Sequence, residues 1–585
     1  MLNKKSKIII NALRLFYLSG PFTFIGVEIL TFLQGFMPFL SLTVFKLIID
    51  AASGHSNFAK NTLILSLVWG GAFLMQHLSL IVNETLRQNL NNKTHLRMNN
   101  MIMKKTISFH GIQNFESKEY REMERRLDFC SNMFPYFLHC FTDISQYIIQ
   151  CASVFFIFGN IKFWIPIAII FSLIPAVLTQ KKLAVLDVEL ETELSQIQIR
   201  EMYLRRNIID PRYSKEFRIF NFFSVFSQQY NKIQNKIYNT KKKFELQTLK
   251  FNLLGFFPRL VVASAILYYI FLKVIAKQDV FYTVGMLALY LQSVFVFSDA
   301  FLQIAGWKTE VDRALQTIKY FFDYMDYKDS IEIPDDGLSV DEEIKEIRFE
   351  KVSFSYGDRA VLKDISFEIK LGSVVAIVGE NGAGKTTLIK LLLRFYDASS
   401  GTIFINGIDI KKYDIHQYRK KISAIFQDFP KFELLLKESI LPGNNGYFEL
   451  SPEEVNILGD YFYKTLPEGL DTMLGTEFGG RELSGGEWQR IAILRGLKKN
   501  SAIFVVDEPT ASIDPIQEAR IYEKIMAHAR KITIFITHRL GSIKKADSIL
   551  VLRNGELIAS GSHENLMNSC SYYNELYSNQ ANMYK

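Results

Sequence analysis

SVVAIVGENGAGKTTLIK, residues 373–390, is the stretch that sets the fold of this chain. SVVAIVG, residues 373–379, is a short apolar run of strand length, and it feeds directly into Gly379, Glu380, Asn381, Gly382, Ala383, Gly384, Lys385, Thr386 and Thr387. Gly379, Gly384, Lys385 and Thr386 have the G-x-x-x-x-G-K-[ST] spacing of a loop that cradles phosphates. That chemistry needs these residue types in this order. Glycines let backbone N–H groups converge on the phosphate oxygens, and a helix opening after the loop presents its positive end. Lys385 then reaches the β and γ oxygens, and the Thr386 hydroxyl can hold Mg²⁺.

Outward from this loop, EIRFEKVSFSY, SAIFVVDE, KITIFITH and SILVLRNGE alternate with helical patterns, so residues 346–585 read as an α/β domain. SAIFVVDE places Asp507 and Glu508 at the carboxyl end of a buried strand, where α/β folds bind ligands. Asp507 is the expected Mg²⁺ holder through water, and Glu508 the expected general base toward an attacking water; the plainer reading of Glu508 is a second carboxylate in the ion's sphere. His538 follows the next strand and is placed to meet a γ-phosphate or the water. Upstream, 326–345 (DYKDSIEIPDDGLSVDEEIK) is acidic and carries Pro334 and Gly337, the composition of a linker.

Residues 1–325 are different in kind. A helix needs about 20 mostly apolar residues to cross the hydrocarbon core of a bilayer. Six stretches qualify, at about 21–50, 62–83, 133–158, 161–180, 251–275 and 280–306, the last continuing as a helix towards 325. The segments between them are short at 51–61, 159–160 and 276–279 and long at 84–132 and 181–250. The long ones hold nine and fourteen Lys or Arg, which places them, both termini and the α/β domain in the cytosol. The net charge of +8 therefore fits an anionic membrane surface, and no nucleic-acid partner is expected. Cys130, Cys140, Cys151 and Cys570 form no C-x-x-C pair and read as packing thiols. With 49% apolar residues, disorder is excluded.

LSGGEWQR at 483–490 narrows the class. Leu483, Ser484, Gly485, Gly486 and Glu487 resemble the signature of ATP-binding cassette transporters. In that family the signature caps the γ-phosphate held by a partner cassette. The resemblance implies further roles: Tyr356 as the aromatic that stacks on adenine, Gln427 as the Q-loop residue near Mg²⁺, Asp514 in ASIDP as the D-loop, and His538 as the switch histidine. Ile513 stands where leucine is usual, and FGGRE before the signature is a variant loop; neither removes a chemical group.

Six spans ahead of one cassette resemble an exporter half-transporter of the type I, or type IV, fold. The segments 115–129 and 213–223 are similar to the intracellular loops of bacterial peptide exporters, including lantibiotic-type ones. The resemblance implies an ATP hydrolase coupled to transport, using ATP and Mg²⁺. It implies a dimer, and the intact Glu508, His538 and LSGGE favour two copies of this chain. Short helices near 113–118 and 211–217 would pass movement between cassette and spans. The expected setting is the cytoplasmic (inner) membrane of a bacterium, multi-pass, with membrane lipid around it. The expected cargo is a small or modified peptide, or another amphipathic substrate; lipid flipping, multidrug export and an ATP-gated channel or regulator remain open. The roughly 20 residues ahead of the first span leave no room for a cysteine peptidase domain, so leader removal would fall to another protein. Glu28, His77, Asp143, Arg259 and Asp299 are ionisable at membrane depth, where such groups face a cavity or a partner. The plainer reading makes them structural pairs.

Overall fold

The computed structural model describes residues 2–53, 62–161, 164–276, 283–340, 343–442, 449–508, 523, 531–537 and 543–583. The chain divides into two compact units. The first holds Met1–Lys105 and Arg121–Tyr327, and the second holds Thr106–Tyr120 and Lys328–Lys585.

The first unit is helical. An entry helix, α1 (Leu2–Ser19), turns at Gly20 into α2 (Pro21–Ala52), where Pro21 occupies the first turn and loses no hydrogen bond there. α3 (Thr62–Ile107) follows; α4 (Gln113–Glu116) is a single turn belonging to the second unit; then come α5 (Lys118–Ile161), α6 (Trp164–Ile209), α7 (Ser214–Ile219), α8 (Phe222–Ile275) and α9 (Val284–Met325). Six of these helices are long and apolar enough to cross a membrane, at Pro21–Ala52, Thr62–Ile107, Met133–Phe158, Trp164–Asp187, Phe222–Ile275 and Val284–Met325. The long basic segments are helical continuations of the spans, as their 3–4 apolar spacing indicates. Phe22, Leu63, Ile64, Leu67 and Val261 stand exposed on the spans, the arrangement expected where lipid replaces water.

Inside this unit, Val154 and Phe158 of α5, Ile165, Ile169 and Leu173 of α6, Ile266 and Ile270 of α8, and Tyr290, Val294 and Phe297 of α9 form one core. Three of the ionisable groups at membrane depth sit in pairs, Asp143 with Arg87 at 3.0 Å and Arg259 with Asp299 at 3.4 Å. His77 bonds its own helix through Nδ1 and the Phe73 carbonyl at 2.9 Å. Glu28 differs, because its buried Oε1 has no hydrogen-bond partner among the described residues.

The second unit is built on two sheets. One is antiparallel, in the order β2-β1-β4-β5, from β1 (Glu346–Tyr356), β2 (Arg359–Lys370), β4 (Ser400–Ile405) and β5 (Ile408–Asp409). The other runs β10-β9-β3-β8-β7-β6, from β3 (Val374–Val378), β6 (Ile422–Ile425), β7 (Ile503–Asp507), β8 (Ile532–Ile536), β9 (Ser548–Arg553) and β10 (Glu556–Gly561). All its pairings are parallel except β10 on β9. β3, β7 and β8 are buried along their whole length, which is why they read as continuous apolar runs without alternation.

Composition suggested a linker over 326–345, yet much of it is docked. Ile331, Val340 and Ile344 are buried, Leu338 donates its N–H to the Lys412 carbonyl at 2.9 Å, and the Glu332 carbonyl accepts from Arg394 at 2.7 Å. The apolar residues interleaved with the acidic ones hold this stretch against the second unit. The segment 106–120 packs there too: Ile112 donates its N–H to Phe395 O at 3.1 Å, and Asn114 donates to Lys328 O at 3.2 Å.

Candidate functional site

Because β3, β6, β7 and β8 are mutually parallel, their carboxyl ends open on one edge of the sheet. The phosphate loop follows β3, Gln427 follows β6, and Asp507 and Glu508 close β7. A cavity of about 810 Å³ opens there, within the range typical of small-molecule sites. Its lining includes Tyr356, Asn381, Gly382, Gly384, Lys385, Thr386, Thr387, Gln427 and Glu508, all named from the sequence. Gly379, Glu380 and Ala383 shape the loop from behind: Ala383 is buried, and the other two accept hydrogen bonds from Lys385 through their carbonyls.

Gly384 shows why the loop needs glycine. It has φ +101, and a Cβ there would lie 2.6 Å from Leu362 Cδ2 and 3.2 Å from Val361 O. From it, α10 (Lys385–Leu392) starts, with its first N–H groups at the cavity. Lys385 is buried, and its Nζ donates to Gly379 O at 2.9 Å and Glu380 O at 3.0 Å. Burial lowers its pKa, while the Glu508 and Asp507 carboxylates oppose that effect.

Asp507 is buried and carries the clearest electrostatic signature. Burial, with Glu508 and Asp428 adding repulsion, raises its pKa to about 6 against the pull of the Thr386 hydroxyl and Lys385. Thr386 and Asp507 are hydrogen-bonded to each other, a hydroxyl and a carboxylate side by side in surplus negative charge. Hard oxygen donors of this kind fit Mg²⁺, which is held by one or two carboxylates together with water and substrate phosphates. Glu508 lies at φ +44, a sparsely populated conformation for a residue with a side chain, and such strain collects at working sites. Its N–H bonds Ile536 O at 3.0 Å.

The signature is elsewhere. Ser484 caps the helix Gly485–Lys498, its hydroxyl accepting from Glu487 N at 3.3 Å while Glu487 Oε2 accepts from Ser484 N at 2.7 Å. This reciprocal capping box is what S-G-G-E encodes locally. None of 483–487 is among the described residues that line the cavity. Asp514 and His538 lie outside the described residues.

Sequence reasoning missed several members of the site. Glu116, on α4, lines the cavity; it is hydrogen-bonded by the Tyr396 hydroxyl and paired with Lys390 at 2.9 Å. Burial pushes the Glu116 carboxyl up, but Tyr396 and Lys390 outweigh it and hold the group below its ordinary range. Tyr356 meets Tyr396 edge-on at 5.3 Å, and the Lys390 ammonium lies 5.8 Å from the Tyr356 ring centroid. The aromatic expected to stack on a base is thereby positioned by the segment 106–120. No local pattern reveals Glu116, whereas Arg359, three residues after Tyr356 and also lining the cavity, was legible as a cation beside that aromatic.

Residues 362–511 match the family described as ABC transporter. Among curated relatives, the subtilin transport ATP-binding protein SpaT of Bacillus subtilis is 39% identical over 243 residues, 40% of this chain and 40% of that protein. The match thus spans less than half the length of that relative. The nisin transport ATP-binding protein NisT of Lactococcus lactis subsp. lactis is 24% identical over 568 residues, 94% of this chain and 92% of that protein. Among solved structures, a bacterial Atm1-family ABC exporter with ATP bound is similar in fold, with a TM-score of 0.78, 24% identity, and coverage of 95% of this chain and 97% of that one.

Proposed function

We propose that this chain, whose residues 362–511 match the ABC transporter family, is an exporter half-transporter that couples ATP hydrolysis to transport and works as a homodimer moving a small or modified peptide out across a bacterial cytoplasmic membrane. The observation that carries this is the convergence of Lys385, Thr386, Gln427 and Glu508 on one cavity in a chain with six membrane-length helices. The peptide cargo is supported by the relative named for nisin transport, which aligns over nearly the whole chain. The dimer is supported by the position of Ser484–Glu487, which cap a helix and do not line this chain's own cavity.

In this reading Tyr356 stacks on adenine, and the amides opening α10 hold the phosphates. Lys385 leaves the carbonyls of Gly379 and Glu380 for the β and γ oxygens. Mg²⁺ held by Thr386 and Asp507, with Gln427 close by, supplies neutralisation of phosphate charge when bound. Glu508 accepts a proton from the attacking water, and His538 orients the γ-phosphate. Ser484, Gly485 and Gly486 of the second copy close over the nucleotide, with Glu487 fixing the Ser484 hydroxyl; Asp514 acts as the D-loop residue of the family pattern.

The test is ATP-dependent uptake into proteoliposomes with outward-facing cassettes, screened by mass spectrometry with peptides, lipids and drugs, and with Glu508→Gln as the control. A peptide accumulating only with ATP and intact Glu508 supports the reading. ATP hydrolysis that redistributes labelled lipid between leaflets, with no peptide uptake, overturns the cargo and favours lipid flipping.

A further inference from the structure

Within the second unit, at a place the nucleotide site does not use, two histidines face each other. His110, in the segment 106–120, has its Nε2 3.1 Å from Nε2 of His416, which lies on the short helix Ile415–Lys420. The rings meet edge-to-face at 72°. On its far side, His110 Nδ1 is 3.1 Å from Asp329 Oδ2.

Asp329 fixes the tautomer. Its carboxylate accepts backbone N–H groups from His110 at 2.6 Å, Gly111 at 3.2 Å and Ile331 at 3.3 Å, and an acceptor so placed takes a hydrogen from Nδ1 as well. The Nδ1 of His110 is therefore the protonated nitrogen, and its Nε2 lone pair points at His416. A carboxylate behind the remote nitrogen of a histidine is the arrangement that orients and strengthens imidazole metal ligands. The spacing agrees: two nitrogens each about 2.0–2.1 Å from one tetrahedral ion stand about 3.3 Å apart, close to the observed separation.

The backbone beneath is held firmly. A Cβ on Gly111 would lie 2.2 Å from Ser330 Oγ, so the segment seats against 330–331 with no room for a side chain there. The positive neighbour, Arg419, directs its Nη2 to the carbonyls of His110 and Arg394, both at 2.7 Å. The Asp329 carboxylate lies within electrostatic reach of that guanidinium and opposes its charge. His416 is exposed, so water can complete the sphere of a bound ion. Among the described residues no group of three or more His, Cys, Asp or Glu is arranged to hold a metal, which makes this a two-ligand, open site.

We propose that His110 and His416 bind one borderline divalent cation of the zinc or copper class, and that the ion fastens the segment 106–120 to the helix Ile415–Lys420. Imidazole pairs select such ions over Mg²⁺ and Ca²⁺, which prefer oxygen. The metal-free pair already shares one hydrogen between its Nε2 atoms, that of His416; on binding, this proton moves through water to His416 Nδ1, and the hydrogen bond is replaced by two coordinate bonds. Because Glu116 of the same segment lines the nucleotide cavity, fastening the segment slows ATP turnover.

The experiment is calorimetric titration of Zn²⁺ into the tag-free full chain in detergent, with Cu²⁺ spin resonance as a second readout. Expected are one micromolar event per chain, nitrogen hyperfine structure from two imidazoles, added amide protection over 109–112, and slowed ATP turnover that a zinc-selective chelator restores with Mg²⁺ kept in excess. His416→Ala removes all four while keeping the metal-free unfolding midpoint. Asp329→Asn weakens binding by about tenfold or more. An event of unchanged size in His416→Ala places the ion elsewhere and overturns the site. Binding that leaves the protection of 109–112 unchanged overturns the fastening, and binding without effect on turnover overturns the control of ATP use.

Discussion

Replacing Asp507 by asparagine should stabilise the nucleotide-free chain even though it disables the site. Burial and the neighbouring Glu508 raise the Asp507 pKa from 3.8 to about 6, so the folded state holds the ionised carboxyl at a cost. A tenfold change in acidity between the unfolded and folded chain corresponds to about 1.36 kcal/mol, which gives an upper bound of about 3 kcal/mol at pH 8. The sign follows from proton uptake. Between pH 4 and 6 the folded state binds more protons than the unfolded state, so Asp507 makes stability fall as pH rises through that window and adds no further change above about pH 7. At pH 5 about half of the cost is already present. The side chain is only 4% exposed, so solvent screening discounts this little. The assay is denaturant unfolding of the full chain with chelator and without nucleotide, at several pH values from 5 to 8. The advantage of Asp507→Asn should grow from about 1.5 to about 3 kcal/mol across that range. An advantage that stays flat with pH, or a less stable variant, would refute the account of Asp507 as a strained carboxylate awaiting a cation. The same variant should also lose the stabilisation that ATP with Mg²⁺ gives the parent, since linkage requires binding.

Glu508→Gln should lower ATP turnover by about a hundredfold or more with nucleotide binding kept, and near-normal turnover would remove its role as base. Lys385→Ala should weaken ATP binding in a direct titration, and unchanged affinity would contradict the proposed phosphate contact. Gly384→Ala must hold φ +101 with a side chain and press on Leu362, so a loss of about 1–3 kcal/mol is expected in thermal unfolding; no loss would mean the loop relaxes freely. Glu116→Ala removes the partner of Lys390 and Tyr396. With the Glu116 side chain 48% exposed, the expected loss is only about 1 kcal/mol, read as roughly fivefold faster amide exchange at Ile112, whose N–H bonds Phe395 O. Unchanged exchange there would show that other contacts hold the segment.

Wherever structure follows from neighbours along the chain, the sequence by itself was sufficient. The phosphate loop is legible because its glycines, lysine and threonine act within one strand-loop-helix turn. Buried parallel strands announce themselves as apolar runs, and the capping box of Ser484 and Glu487 is a four-residue pattern. Six spans are legible because crossing a bilayer demands a continuous apolar length. Tertiary structure decided what depends on chain path. Glu116 reaches Lys390 across 274 positions, and His110 reaches His416 across 306, with no periodicity to announce either meeting. The acidic stretch 326–345 looked like a free connection because composition averages over residues. Ile331, Val340 and Ile344 bury their side chains one at a time, and only a folded partner surface reveals that.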